Sequence, residues 1–219
     1  MSISLFLRGF AIGLAIAAPV GPIGILCIRR ALVYGRLSGF ISGLGAATAD
    51  AMYGSIAALG LTAISIRLIA AQDELKLIGG LFLCYLGVRT MLASPRRLDT
   101  ASPKGKEAGD VTVSGKALGM DFGSAFLLTI SNPMTILSFA AIFAGLGAVG
   151  RETSGPWMVT AGVFLGSASW WLLLSTVAGL LGKHWPGAQT ARKVNLISGV
   201  VILGFGAAAL FLAARSWFD

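Results

Sequence analysis

The chain has 219 residues, of which 56% are hydrophobic and only 12% are charged, and its formal net charge is +8. Soluble domains carry about 25% charged residues, so the composition excludes an ordinary soluble protein and indicates an integral membrane protein. The basic residues cluster between apolar runs without interleaved aromatics, which argues against nucleic-acid binding. The two cysteines, Cys27 and Cys84, form no metal or redox motif, so we expect no cofactor and no metal.

The first predicted span, Leu5–Ile28, is interrupted near its middle by Pro19, Gly21 and Pro22. No basic segment precedes its apolar run, and the run continues past Arg8 to Ile28, so we expect a transmembrane helix instead of a cleaved signal peptide. Proline removes a backbone donor and clashes with the carbonyl four residues back, and glycine permits unusual dihedral angles. The pattern predicts a broken helix with free backbone groups, and the alternative is a simple kink.

The second predicted span, Ser38–Thr62, carries Asp50 near its centre, with no other charge nearby. An ionised carboxylate at mid-bilayer costs about 2.5–3.5 kcal/mol, so Asp50 should face the bundle interior and bind a cation or proton. The alternative is an interhelical hydrogen bond that only holds the bundle together. Tyr53 could donate to Asp50, although ordinary packing also explains it. Small residues share the helix face of Asp50: Gly43, Ala46, Ala47 and Gly54.

The third predicted span, Leu75–Ala93, is the weakest, because Lys76 and Arg89 leave only a short charge-free stretch. A five-span protein is therefore the alternative. The following residues are polar and rich in proline, glycine, serine and threonine, which predicts a flexible cytoplasmic linker over residues 94–118. This linker would separate a first three-helix repeat, residues 1–93, from a second, residues 119–219.

The fourth predicted span, Gly119–Val149, contains the dipeptide Asn132-Pro133. Asparagine is a favourable N-cap and proline suits the first helical position, so a half-helix should begin at Pro133. Its free N–H groups would point toward the bilayer centre, and Pro133 would also free the carbonyl of Thr129. The sequence thus predicts a second break, at the same depth as the first.

The fifth and sixth predicted spans are Trp157–Leu181 and Val194–Ala214. Three spans on each side of the linker give the halves opposite orientations, which is the inverted-repeat arrangement. A weak internal match supports it, because Gly9 precedes Pro19, and Gly123 precedes Pro133, by ten residues. The predicted fold is all-α: a polytopic membrane protein with six transmembrane helices in a 3+3 inverted repeat, helices 1 and 4 being broken.

The charge pattern predicts the orientation of the chain in the membrane, and the glycine pattern predicts how the helices pack. Most of the 17 lysines and arginines lie in the first, third and fifth connections, which the positive-inside rule places in the cytoplasm. Pairs of glycines four residues apart predict close helix packing within the chain, and a homo-oligomer remains open. The two breaks and Asp50 would bring donors, acceptors and a carboxylate to one level, a combination that suits a zwitterion.

The chain resembles the LysE/RhtB family of bacterial amino-acid exporters over nearly its whole length. Members commonly carry Pro-Gly-Pro in span 1, where this chain has Pro19-Val20-Gly21-Pro22, one residue longer. The family's acid in span 2 and Asn-Pro in span 4 match Asp50 and Asn132-Pro133. The segments that carry the resemblance are Gly9–Pro22, Ala31–Asp50, Leu77–Leu92, Phe122–Phe143 and Asn195–Gly206.

The resemblance implies export of an amino acid or related small solute across a bacterial inner membrane, driven by proton exchange or the membrane potential. An antiporter-type secondary transporter, not an enzyme, is therefore expected, with a small molecule and the lipid bilayer as its partners. The competing hypothesis is a non-transporting membrane scaffold or assembly protein. An intramembrane aspartyl hydrolase is disfavoured, because it needs two carboxylates in one site and Asp50 is the single mid-span acid.

Overall fold

The computed structural model describes residues 2–19, 21–59, 67, 70–93, 115–132, 134–139, 155–184 and 188–215. These residues form helices and short turns, and none of them lies in a strand. A further short helical segment covers residues 134–139. The seven longer helices are α1 (Ser2–Ala17), α2 (Pro22–Tyr34), α3 (Arg36–Ala58), α4 (Gln72–Met91), α5 (Gly115–Ile130), α6 (Gly155–His184) and α7 (Ala188–Arg215).

The all-helical class is confirmed, and the described part of each predicted span lies in a helix or in a pair of helices. Among the described residues, α6 and α7 are long and apolar enough to cross a membrane alone. Helices α1 and α2 together pass the same test, although the pair bends by 82° at the break between them. The count of six spans and the inverted repeat remain predictions.

Several helix boundaries differ from the sequence prediction, and two of the differences involve the helices next to the breaks. Helix α2 continues to Tyr34 instead of ending at Ile28, because no helix breaker precedes Gly35, whose φ of 95° suits glycine. At the other boundary, α5 begins at Gly115 and so takes the last residues of the predicted linker 94–118. Residues 94–114 lie outside the described part of the chain.

Close packing against α6 organises the bundle, since α1, α2 and α3 all pack against it, while α5 packs on α3 and α7 packs on α4. The contact between α1 and α6 depends on glycine. A Cβ atom on Gly9 or Gly13 would overlap the backbone of α6, and one on Gly162 or Gly166 would overlap the backbone of α1. These two glycine pairs therefore serve packing within the chain, as predicted.

Large apolar side chains cover much of the outer surface of the helices. On α7, Ile197, Val200 and Phe211 are exposed, and on α4, Ile78 and Leu81 are exposed. Exposed apolar patches of this extent mark a surface that contacts lipid or another apolar partner. The arrangement agrees with a membrane protein whose outer face is apolar and whose polar groups lie between helices.

Candidate functional site

Asp50 lies inside the bundle, between α3 and α6, and only 3% of its surface is exposed. Its Oδ2 atom accepts a hydrogen bond of 2.7 Å from the Ser167 hydroxyl, which in turn accepts one of 3.1 Å from the Trp171 indole N–H. The sequence prediction that Asp50 faces the interior is confirmed. The two polar partners from α6 were not predicted.

Small residues on α3 explain why a carboxylate can be buried here. Ala46 and Ala47, one turn before Asp50, are fully buried, and Gly54, one turn after it, is also buried. A Cβ atom on Gly54 would lie 3.3 Å from the Val163 side chain of α6. The predicted small-residue face therefore brings α6 close enough for Ser167 to reach the carboxylate.

The first predicted break is present and lies beside the helix that carries Asp50. Helix α1 ends at Ala17, and α2 begins at Pro22 with Gly21 as its N-cap. Pro19 is exposed in the connection, and Val20 lies outside the described residues. The residues that flank the break, Ala17 and Ile23, share one hydrophobic cluster with Ala46, Ala47 and Ala168.

The second break follows Ile130, where α5 ends. The Asn132 side-chain oxygen accepts a hydrogen bond of 3.1 Å from the Met134 N–H, so its predicted role as N-cap is confirmed. Pro133 itself lies outside the described residues, and its role remains a prediction. The expected free carbonyl of Thr129 is wrong, because the turn folds back and this oxygen accepts the Asn132 N–H at 3.1 Å.

Tyr53 belongs to the second break and makes no hydrogen bond to Asp50. Its hydroxyl donates to the carbonyl of Ile130, the last residue of α5, and its ring lies 6.0 Å from that of Phe139. Of the two alternatives for Tyr53, packing is confirmed and donation to Asp50 is wrong. Tyr53 lies three residues after Asp50 on α3, so its side chain faces α5 whereas that of Asp50 faces α6. Tyr53 thereby ties α3 to both sides of the second break.

Helix α3 thus contacts both breaks within two turns of Asp50. The first break reaches Ala46 and Ala47 through the shared cluster, and the second reaches Tyr53 through the Ile130 carbonyl. The buried hydroxyl of Thr129 donates to the Ala125 carbonyl of its own helix at 2.8 Å, which gives it a structural role. Asp50 with Ser167, flanked by the two breaks, is the candidate site.

An apolar groove of about 460 Å³ lies next to the second break, between α3, α4 and α5. Its polar lining is limited to Tyr53 and Ser131, and Asp50 does not line it. A groove without a charged side chain cannot neutralise the ends of a zwitterion, so it differs from the predicted site. Its apolar lining residues are Met52, Ile56, Leu75, Ile78, Phe82, Leu127 and Ile130.

A buried ion pair that the sequence interpretation did not identify joins α2 to α5. Arg30 lies 3.1 Å from Asp121, measured from Nε to Oδ1, and also donates to Ser42 and Ser124 at 2.8 and 2.7 Å. The second Asp121 oxygen accepts a hydrogen bond of 2.5 Å from Ser38. Arg30 follows the predicted end of the first span at Ile28, and Asp121 lies at the predicted start of the fourth span, so the sequence does not predict a contact between them.

Arg29, the residue before Arg30, contacts a different helix. The Arg29 Nε donates to the Asn195 side chain of α7 at 2.8 Å, and Asn195 donates to the Ala93 carbonyl at 3.1 Å. The Arg29 guanidinium also lies 5.3 Å from the centre of the Tyr34 ring. The run from Pro22 to Tyr34 without a breaker was the available signal that both arginines lie within a helix.

The described residues therefore form an all-helical membrane bundle with a bent helix pair and a buried carboxylate. Within them, no group of three or more His, Cys, Asp or Glu side chains is placed to hold a metal ion. The LysE type translocator family model matches residues 14–213, and the chain belongs to this family.

Three relatives illustrate the range of the family. A Bacillus subtilis protein named putative amino acid efflux protein YcgF is 28% identical over 206 residues, which are 93% of each chain. The threonine efflux protein of Salmonella typhi is 22% identical, over 85% of this chain and 87% of its own. The leucine efflux protein of Salmonella choleraesuis is 23% identical, over 85% of each chain. No solved structure is significantly similar to the chain.

Proposed function

We propose that the protein is a secondary transporter that exports an amino acid or a related zwitterionic or cationic solute across the bacterial inner membrane. The observation that carries the proposal is the buried Asp50 carboxylate, held by Ser167 between two interrupted helices, in a member of the LysE family. Relatives named for amino acid, threonine and leucine efflux support the substrate class.

Asp50 is the proposed site for a proton or for the cationic group of the substrate. An ionised carboxyl group inside a membrane bundle is energetically costly. Its presence therefore indicates that the charge is paired with another group or takes part in function. Ser167 supplies one donor and leaves the rest of the carboxylate's capacity available for a proton or an ammonium group. Export coupled to proton exchange or to the membrane potential then follows from alternating access to Asp50.

The two breaks are the proposed binding sites for the parts of the substrate that Asp50 does not bind, in particular its carboxylate. The first predicted span is interrupted at Pro19, Gly21 and Pro22, beside Ala46 and Ala47. The fourth predicted span is interrupted at Asn132, close to Tyr53, and Pro133 is proposed to take part in this break. Helix α3 lies between them, which supports one site shared by both breaks. The start of α2, which no side chain caps, suits the carboxylate of an amino acid, whereas at the second break Asn132 already accepts the N–H groups of Met134, Thr135 and Ile136.

The packing of the helices supports a six-span inverted repeat of residues 1–93 and 119–219 around the linker 94–118. Exchanging the two halves would exchange the first span with the fourth and the second with the fifth. The first span packs on the fifth through α1 and α6, and the fourth span packs on the second through α5 and α3. The exchange therefore turns one of these contacts into the other. The contact of α3 with α6 joins the second span to the fifth, and the contact of α4 with α7 joins the third to the sixth. The same exchange leaves both of these contacts in place.

Proteoliposomes that contain the purified protein test the proposal against the scaffold hypothesis. They are offered labelled threonine, leucine and lysine with and without an imposed pH gradient, and protein-free liposomes serve as the control. The proposal predicts gradient-dependent accumulation of at least one amino acid. A scaffold with a structurally satisfied Asp50 predicts no flux for any of them, and that result would overturn the exporter assignment.

A further inference from the structure

The ion pair between Arg30 and Asp121 is one of the most heavily bonded polar contacts between described helices. Only 9% of the Arg30 side chain and 15% of the Asp121 side chain are exposed. Besides the ion pair, Arg30 donates to the Asp121 backbone carbonyl at 2.9 Å and to Ser42 at 2.8 Å. Both carboxylate oxygens of Asp121 are engaged, one by Arg30 and one by Ser38.

The pair connects the two halves of the chain. Arg30 belongs to α2, which follows the first break, and Asp121 belongs to α5, which precedes the second break. Ser38 and Ser42 of α3 hold the pair from the side. By contrast, the ion pair of Lys76 with Asp73 lies within α4 and joins no two helices.

Along α3, the ion pair lies nearer than Asp50 to the end of the bundle where the arginine-containing first connection is predicted. Ser42, which binds Arg30, precedes Asp50 by eight residues on α3, or about 12 Å along the helix axis. The positive-inside rule assigns this end to the cytoplasm. A solute that enters from the cytoplasm would therefore meet the ion pair before it meets Asp50.

We propose that the Arg30–Asp121 ion pair is the cytoplasmic gate and that a zwitterionic substrate opens it by taking over both charges. The substrate carboxylate binds Arg30, and the substrate ammonium binds Asp121. This inference rests on the proposed function for the substrate, but the gate itself is tested separately. Opening a buried ion pair in an apolar bundle leaves two unpaired charges, which is strongly unfavourable. A zwitterion replaces each partner, whereas a molecule with one charge leaves the other residue unpaired.

Labelling of Cys27 reports on the gate, because this thiol is fully buried one turn before Arg30 on the same helix. The chain has two cysteines, so a Cys84→Ala background leaves Cys27 as the single target. The purified protein in detergent is treated with N-ethylmaleimide, and the labelling rate is measured by mass spectrometry below the unfolding temperature.

In that background, Asp121→Asn should raise the Cys27 labelling rate about tenfold or more, because it leaves Arg30 without its counter-charge. The matched control, Asp73→Asn, removes the ion pair within α4 and should leave the rate unchanged. Ser38→Ala removes one hydrogen bond from Asp121 and should give a smaller increase, which keeps the test available if Asp121→Asn does not fold. Parent-like labelling of a folded Asp121→Asn or Ser38→Ala variant would overturn the gate.

The zwitterion step is tested on the protein with the intact gate. Threonine, leucine or lysine should raise the Cys27 labelling rate several-fold if the liposomes transport it, whereas its decarboxylated amine and its deaminated acid should not. Equal effects of the amine or the acid, or no effect of a transported amino acid, would overturn this step. Fast labelling of Asp121→Asn in a protein that transports no amino acid would refute the proposed function while supporting a gate.

Discussion

Replacing Gly13 by alanine tests the close contact between α1 and α6. A Cβ atom at this position would overlap the Val163 carbonyl oxygen and lie 2.8 Å from both the carbonyl carbon and the Cα atom of Val163. These atoms belong to the backbone, so they cannot rotate away and the two helices must separate. Overpacking of this kind costs about 1–3 kcal/mol, and a backbone obstacle favours the upper end.

Alanine also gains about 1 kcal/mol over glycine in a helix, so the net destabilisation by Gly13→Ala should be about 2 kcal/mol. For a chain of this length, that corresponds to a fall in Tm of about 4–8 °C. Gly123→Ala is the matched control, because no described atom of a neighbouring helix lies within 4 Å of the position that its Cβ atom would take in α5. It should leave the Tm unchanged or raise it slightly.

The Tm of each variant is measured in detergent with a thiol-reactive dye, since the buried Cys27 becomes reactive on unfolding. An unchanged Tm for Gly13→Ala would refute the packing argument, and so would equal destabilisation by Gly123→Ala. The structure also distinguishes the two glycines of the internal sequence match, Gly9 and Gly123. Gly9 contacts the α6 backbone, whereas Gly123 has open surroundings among the described residues, so their equal spacing from a proline does not reflect equal packing.

Three further substitutions test the site. Tyr53→Phe should lower stability by about 1 kcal/mol, seen as a lower Tm, because it removes the donor to the Ile130 carbonyl; an unchanged Tm would contradict this bond. Asn132→Ala should lower stability by about 1 kcal/mol while the aspartate variant retains the cap, and equal Tm values for the two variants would refute the capping role. Ser167→Ala removes a donor to the Asp50 carboxylate worth about 1.5–3 kcal/mol and should reduce gradient-driven export at least tenfold, so wild-type export in this variant would contradict a role for the hydrogen bond.

Features that depend on local sequence could be predicted. The break after Ala17 follows from the proline and glycine residues at that point and does not require contacts with distant parts of the chain. The burial of Asp50 follows from the cost of a charge in lipid and from the small residues on its helix face. The N-cap at Asn132 likewise needs only its neighbours in the chain.

Partners that come from distant helices could not be predicted. Arg30 contacts Asp121 across 91 residues of sequence, and Arg29 contacts Asn195 across 166. No local periodicity encodes which helices meet, so the sequence predicts only a cytoplasmic connection for both arginines. The hydrogen bond from Tyr53 to the Ile130 carbonyl could not be predicted for a related reason, because the packing of the helices decides that this side chain faces α5.

The central claim, that Asp50 couples export to a driving gradient, is tested most directly by Asp50→Asn in proteoliposomes. Accumulation of a transported amino acid against its gradient is measured under an imposed pH gradient, beside exchange without a gradient. The matched control is Glu74→Gln, which neutralises an exposed carboxylate on α4. The account predicts that Asp50→Asn abolishes gradient-driven accumulation while the protein stays folded and inserted, and that Glu74→Gln behaves as wild type. Undiminished accumulation in Asp50→Asn would contradict it.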